Sequence, residues 1–529
     1  MRAETATEKT LRSQEIGGVY AWYTLVVLVL VFAMSQLDRL ALSILAEDVK
    51  ADLHVTDSQI GFLFGTAFGV FYAVFGVSIG RLADFLSRRW LLATGMVLWS
   101  AMTVLSGVAA NFGELAVARA FIGIGEAAVG PACYSILTDR FPKAQRATVL
   151  AICVSGLFIG NGLSKMIGGA VLSFWHGTFP HNPPLGLHAW QVAFFVIGAP
   201  GILAALWVAS LREPVRGLAD GLPEPPREPH PWKRSFIELS SAVPPLTVFN
   251  AARFGLKPLV YNLFGAACAA LFAVVCTRLF HDTEEWVALA VGGYATFSWI
   301  QSLRHRDRAT YTLIFGTPTY MSAVIAFGLL SFVGWSVGFW APPYAIRVLH
   351  VSPAEVGLIM GTIAAAGGWG GGVLGGRVAD IFLKNNPAGR LYIGFAAAVA
   401  LPVFVVSMIH THNVALFYAL FGCYVMFGNM WVGVCAATTQ EIVLPHMRGA
   451  AAAANALAFT LIGLCIGPYM VGKLSAVLHD LGLAIEISTC VTPVAFLLLL
   501  HTYRTLTAAE GSRLARAQAA AAAAGQVLL

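Results

Sequence analysis

Apolar runs of about 20 residues, each long enough to cross a hydrocarbon core of roughly 30 Å, recur along almost the whole chain. Six lie near 20-45, 58-80, 90-110, 113-137, 147-172 and 190-210, and six more near 318-346, 355-379, 391-410, 413-438, 449-474 and 484-503. Between the two sets, 259-279 and 286-303 also read as membrane-embedded. A chain that is 58% hydrophobic and 11% charged lies far from the roughly 25% charged usage of soluble domains. The sequence therefore predicts an all-α polytopic membrane protein of about fourteen spans, two six-helix bundles plus two extra inserted helices.

Lys and Arg accumulate in short cytoplasmic loops, so their placement tests that count. With both tails and every second loop inside, most of the 33 basic residues fall on one face. Lys50, Arg278, Arg347 and Lys473 lie on the other, and Arg39, Arg119 and Lys165 fall within spans. Both ends are expected in the cytoplasm and the insert must hold an even number of spans. The net charge of +6 is thus a topology signal, and cations spread thinly over loops exclude a nucleic-acid footprint. The eight cysteines lie in apolar spans without metal-ligand spacing and read as small core residues, so neither metal nor cofactor is expected. Residues 1-18 lack the apolar region of a cleaved signal, so the first span is expected to direct insertion into a bacterial inner membrane.

The domain reading follows: a cytoplasmic tail 1-19, a bundle 20-211, a linker 212-258, the inserted pair 259-303, a short linker 304-317, a second bundle 318-504 and a tail 505-529. Residues 212-235 are too rich in proline and charge for a packed core. Residues 236-257 suit one amphipathic surface helix, and the Ala-rich tail a frayed cytoplasmic helix.

Ionisable groups inside the membrane are costly and mark function or a packing ion pair. Asp38 and Arg39 lie in the outer half of the first span, at depths that overlap Arg119 and Glu126 of the antiparallel fourth. Arg119 and Glu126 are seven apart and project from nearly one helix face, about 10 Å apart along the axis. Glu126, nearest the midplane, is the first candidate for a proton-carrying group and Asp38 the second. Arg39 and Arg119 keep their charge, which suits an anionic headgroup or a switching carboxylate. Lys165, toward the outer end of the fifth span, is placed to snorkel to the interface, with substrate contact as the alternative. Asn161, Asn429, Thr438, Gln440 and Asn455 read as interhelical hydrogen-bonding residues, and Asn429 is also a candidate substrate contact.

The glycines of 367-376 continue an apolar helix and no Gly-Lys-Ser/Thr follows, so they serve close helix approach and not phosphate binding. Trp335, Phe339 and Trp340, followed by Pro342-Pro343-Tyr344, predict a helix break and a gate or pocket wall near the outer end of the seventh span, with an interfacial aromatic belt as the alternative. Trp340 and Tyr344 are candidate substrate contacts.

Two helix ends repeat one device, Gly80-Arg81-Leu82-Ala83-Asp84 and Gly376-Arg377-Val378-Ala379-Asp380. Phe141-Pro142-Lys143-Ala144-Gln145-Arg146 is weakly echoed by Leu444-Pro445-His446-Met447-Arg448. Parallel repeats of six spans organise major facilitator transporters. Gly80 to Arg89 resembles the signature of that superfamily between its second and third helices, and Ala118-Arg119 with Gly123, Gly125, Glu126 and Ala127 resembles its fourth-helix motif. Leu37-Asp38-Arg39, Asp57-Ser58-Gln59-Ile60-Gly61, Phe71-Tyr72-Ala73, Pro131-Ala132-Cys133-Tyr134-Ser135, Trp340-x-Pro342 and Gly467-Pro468 resemble the Spinster family, over nearly all of 20-211 and 318-503. The resemblance implies alternating access and export of amphiphilic lipids such as lysophospholipids or sphingoid phosphates. It implies a coupling and binding cluster of Asp38, Arg39, Arg119 and Glu126, and a cytoplasmic gate of Gly80, Arg81, Asp84, Arg88, Arg89, Gly376 and Asp380. The fifth helix reads Gly160-Asn161-Gly162, without the proline of the antiporter signature, and the inserted pair is not general to the family.

The expected function is a proton-coupled monomeric transporter that exports an amphiphilic organic anion, with protons and membrane lipids as its other partners. Uptake of a small organic acid or sugar acid is the alternative. No zincin motif, serine elbow or Walker loop supports an enzyme, and a receptor role is the remaining class.

Overall fold

The computed structural model describes residues 16–220 and 228–526. Its antiparallel helices are α1 (Val19–Leu53), α2 (Asp57–Leu82), α3 (Arg88–Ser106), α4 (Phe112–Arg140), α5 (Lys143–Thr178), α6 (Ala189–Ala209), the inserted α7 (Leu256–Phe280) and α8 (Thr283–Arg306), then α9 (Pro318–Arg347), α10 (Pro353–Asn385), α11 (Gly389–Ile409), α12 (Val414–Glu441), α13 (Pro445–Leu478) and α14 (Leu481–Ala523). Among the described residues, 12 of these are long and apolar enough to cross a membrane. The expected fourteen is reached only by adding α3 and α8, which carry more polar residues and fall short of that criterion. Alternation puts both described chain ends on one face, here the terminal face; the other is the distal face.

α1–α6 and α9–α14 form the two bundles, which meet along two seams lined by glycine. A Cβ on Gly61 of α2 would lie 2.5 Å from the Pro468 carbonyl oxygen of α13, and one on Gly69 2.6 Å from Cys465 Sγ. Across the second seam, a Cβ on Gly162 of α5 would come within 2.6 Å of the Gly361 oxygen of α10, and one on Gly361 within 2.7 Å of the Gly162 oxygen. Without a hydrophobic drive between helices in lipid, such close backbone contact is what holds them.

The inserted pair lies against the α2–α13 seam. Asn262 donates to Ser298 Oγ and to Gln301 Oε1 and accepts from Tyr294, polar glue between α7 and α8. In the linker, the helix expected over 236–257 is two, Pro231–Leu239 and Thr247–Arg253. Pro244 and Pro245 between them supply no backbone donor. The tail is not frayed: α14 runs on to Ala523, with Ala517 and Ala521 buried and Arg516 donating to Thr317 Oγ1 at 2.6 Å. Nor do Pro342 and Pro343 break α9, which continues to Arg347.

Glu213 closes the start of α3. Its carboxylate accepts from the Arg88 and Arg89 backbone N–H groups, from Ser87 Oγ and from the Arg88 guanidinium, a capping arrangement that also suits the helix dipole. Burial pushes this carboxyl up, but the Arg89 N–H, the Arg88 guanidinium and the Ser87 hydroxyl outweigh it and hold it below the usual range.

A lowered carboxyl stabilises the folded state fully above its unfolded pKa of about 4.3 and loses that effect as pH falls through the lowered value. Glu213→Gln should therefore flatten the acid limb of the thermal-stability profile and expose the linker to protease at neutral pH; an unaltered profile and unaltered cleavage would refute the cap. Gly361→Leu should force α5 and α10 apart, since overpacking costs roughly 1–3 kcal/mol. Spin labels at the distal ends of these helices should report a longer distance, and an unchanged one would count against the seam.

Candidate functional site

Glycines set the depth of the charged cluster. A Cβ on Gly125 of α4 would lie 2.7 Å from the Gly95 oxygen of α3, and Gly123 abuts the Phe68 carbonyl of α2 as closely. α4 is interrupted after Glu126, at Ala127–Ala128, where Pro131 offers no N–H to the Ala127 carbonyl. Glu126 thus sits at a bend, pressed between α1, α2 and α3.

The four predicted groups come together. Arg39 donates to Glu126 Oε2 from Nε at 3.1 Å and Nη2 at 2.5 Å, with side chains 12% and 0% exposed. The Arg39 guanidinium lies over the rings of Phe68 and Tyr72, 4.4 and 4.8 Å from their centroids. Asp38 is buried against Trp99 and Thr103. Glu126 Oε1 and Asp38 Oδ1 have no hydrogen-bond partner among the described residues. Each is a buried acceptor with an unfilled lone pair, which costs free energy unless a proton or water fills it.

Arg119 is used differently. It donates to the carbonyls of Leu63 at 3.2 Å, Asp38 at 3.3 Å and Arg39 at 2.9 Å, which ties α1 and α2 to α4. It is fully buried with its fork engaged by backbone, so in this conformation it presents no donor to a substrate. The same holds for two other expected contacts. Trp340 is buried with its indole N–H on the Pro468 oxygen at 2.8 Å, and Tyr344 donates to Ile409 O at 2.9 Å and stacks on Phe417. Asn429 is half-buried and donates to Val425 O one turn back. Lys165 does not snorkel. It is buried and donates to Asn161 Oδ1 at 2.6 Å, toward the middle of α5.

A distal latch was not read from the sequence. Arg347 of α9 forks onto Asp57 of α2, at 2.8 and 2.9 Å, and onto Glu47 of α1, at 2.6 Å. Ser475 of α13 donates to Asp57 at 2.7 Å, and Lys50 pairs with the same carboxylate. Beneath it, Phe64 of α2 stacks on Phe339 of α9 at 4.1 Å, with Trp335 alongside. The legible signal was Arg347, one of few cations on its face, level with two acids.

Among the described residues, every hydrogen bond and ion pair between α1–α6 and α9–α14 lies in the distal half: the latch, Ser43 to Phe339 O, Thr66 to Cys465 O, and the Ala354 N–H to Ser173. The expected gate residues on the terminal face make no hydrogen bond or ion pair to the opposite bundle among the described residues. Arg88 pairs with Asp139 and Glu213, Arg89 donates to Leu211 O, and Arg81 faces Glu238 of the linker at 3.6 Å. A Cβ on Gly80 would touch Pro131 of the same bundle at 3.7 Å. Asp84 lies at the surface of the terminal face, where partial desolvation raises its carboxyl against the pull of Arg81, Arg216 and Arg234. Gly376 has open space where a Cβ would stand and Asp380 is exposed. The distal side is closed and the terminal side unfastened.

A sequence model of the Major Facilitator Superfamily matches residues 27–468. An MFS-type efflux pump of Mycolicibacterium smegmatis is 26% identical over 483 residues, 91% of this chain and 90% of that protein. Protein spinster of Drosophila melanogaster is 30% identical over 200 residues, 38% of this chain and 31% of that protein. A hexuronate transporter of Bacillus subtilis is 29% identical over 181 residues, 34% and 40% of the two chains. Among solved structures, a bacterial homolog of the human lysosomal transporter Spinster, inward-facing and unoccupied, shares the fold at a TM-score of 0.64 and 20% identity, over 95% of this chain and 98% of that one. The chain is an integral membrane transporter that belongs to the Major Facilitator Superfamily.

Proposed function

We propose that this transporter is proton-coupled, works by alternating access and exports an amphiphilic organic anion, such as a lysolipid or sphingoid phosphate, from a bacterial cytoplasm. The observation that carries the coupling is the Arg39–Glu126 pair, buried in a membrane helix bundle with one carboxylate oxygen unpartnered and Asp38 beside it. A carboxylate held by a permanent cation keeps its charge while paired; when the bend at Glu126 shifts, it loses the guanidinium and takes a proton. Asp38 is the second proton carrier, and Arg39 and Lys165 are the cations that an anionic headgroup would meet.

Alternating access draws support from fastenings confined to one half of the bundle interface, with the terminal-face residues Gly80, Arg81, Asp84, Gly376 and Asp380 not bonded across to the opposite bundle and so placed to form the opposite closure. The positive-inside pattern favours a cytoplasmic terminal face and fourteen spans, and a monomer suffices for the two-bundle cycle. The efflux pump and Spinster relatives favour export of an amphiphile. The hexuronate relative favours the second reading, proton-coupled uptake of a sugar acid.

Flux of lysolipids and of hexuronates in proteoliposomes under an imposed pH gradient separates the two readings: movement of the sugar acid without any amphiphile would replace the first by the second. Glu126→Gln should abolish gradient-driven flux while leaving insertion and folding intact, and wild-type flux in that variant would remove Glu126 from the coupling. Arg347→Gln should weaken distal closure by roughly 1–2 kcal/mol, a five- to thirty-fold change in population, because the latch is partly open to water. Labelling of a distal cysteine by an impermeant maleimide should accelerate accordingly, and an unchanged rate would show that the latch does not hold the closed state.

A further inference from the structure

Thr66 of α2 places one hydroxyl between two acceptors. Its Oγ1 lies 2.8 Å from Oε1 of Glu285 in the inserted α8 and 3.0 Å from the carbonyl oxygen of Cys465 in α13. A hydroxyl carries one proton and donates once. To hold both contacts, three oxygens in a row need two protons, and the second must come from the carboxyl. A neutral Glu285 donates to Thr66, and Thr66 donates to Cys465.

The surroundings agree. Glu285 is 0% exposed, and its Oε2 has no partner among the described residues. Its charged neighbours on α8 are Asp282 and Glu284, both acids. From α13 it meets Cys465 and Tyr469, and Tyr469 donates to Asp282 at 2.8 Å. The nearby cation of α13, Lys473, is engaged by Asp282 at 2.9 Å and Phe280 O at 2.8 Å, while Arg278 of α7 is exposed. α2 offers the hydroxyl alone. An ionised carboxylate here would stand fully buried between helices with one shared side-chain donor and no counter-ion, which the neutral form avoids.

The relay joins three bodies: α2 of one bundle, α13 of the other, and the insert. At this level α13 forms a π-helical turn, Phe459–Cys465, a feature frequent at functional sites. We propose that Glu285 is a second intramembrane proton-binding site, which fastens the α2–α13 seam through Thr66 while it holds its proton. When the seam parts, Thr66 leaves the Cys465 carbonyl, water reaches the carboxyl, and its O–H bond breaks with the proton passing to that water. The insert thereby makes distal closure sensitive to pH. The assignment does not depend on Glu126 carrying the coupled proton.

The test uses the full chain in lipid nanodiscs without substrate. Infrared spectra at neutral pH should contain a protonated-carboxyl C=O band that persists in Glu126→Gln and disappears in Glu285→Gln. Spin labels at His54 and Val477 should show the seam opening as pH rises in the wild type and staying closed in Glu285→Gln, whose amide still donates to Thr66. Thr66→Val should keep the acid band, shifted toward a free acid, and loosen the seam at every pH, which secures the test if the Glu285 variant folds poorly. A wild type without the band, a band indifferent to Glu285→Gln, or the same pH response in all three chains would overturn the proposal.

Discussion

Lipid offers no hydrogen bonds, so the polar groups this chain carries into the bilayer are driven to find their partners within the protein. That constraint organises the molecule. Arg119 spends its fork on three carbonyls of α1 and α2, Arg39 covers Glu126, and Asn262 ties α7 to α8. Among the buried side-chain atoms left without a partner are three carboxylate oxygens: Glu126 Oε1 at the bend of α4, Asp38 Oδ1 beside Trp99 and Glu285 Oε2 at the seam with the insert. A fully engaged cation such as Arg119 positions its neighbours, and a half-engaged acid such as Glu126 keeps one oxygen open to a further donor.

The two seams show how close contact and mobility coexist. Gly61 and Gly69 on α2, and Gly162 and Gly361 across α5 and α10, bring backbones together without interlocking side chains. Surfaces of this kind slide and separate more readily than knobs set into holes. The polar fastenings lie nearer the distal end, so under the proposed alternating access the glycine contacts would act as bearings and the Arg347 network as the clasp.

The helices and the charged cluster were legible because both leave local marks: apolar length for a span, and a seven-residue spacing for Arg119 and Glu126 on one face. The role of Arg119 was not, since a guanidinium that serves backbone carbonyls and one that serves a ligand have the same sequence signature. Trp340 and Tyr344 were placed in the right region but turn into their own bundle, a choice made by packing. The Arg347 latch joins residues about 300 positions apart and has no local signal. Glu285 fell just outside the apolar run read as 286–303, at a helix end where an acid looks ordinary. The linker and tail departed for opposite reasons: two prolines split one expected helix, and buried alanines lengthened another.

The prolines of α9 have a consequence of their own. Pro343 cannot bond the carbonyl of Phe339 four residues back, and that orphaned oxygen accepts the hydroxyl of Ser43 from the opposite bundle at 2.7 Å. An ordinary helix carbonyl has a partner already and gains little from a second. Here the seventh span of the repeat lends its neighbour a grip that lies outside its own ladder, so that in the proposed cycle the hold would be dropped and retaken with water standing in, and the helix would not have to unwind to let go.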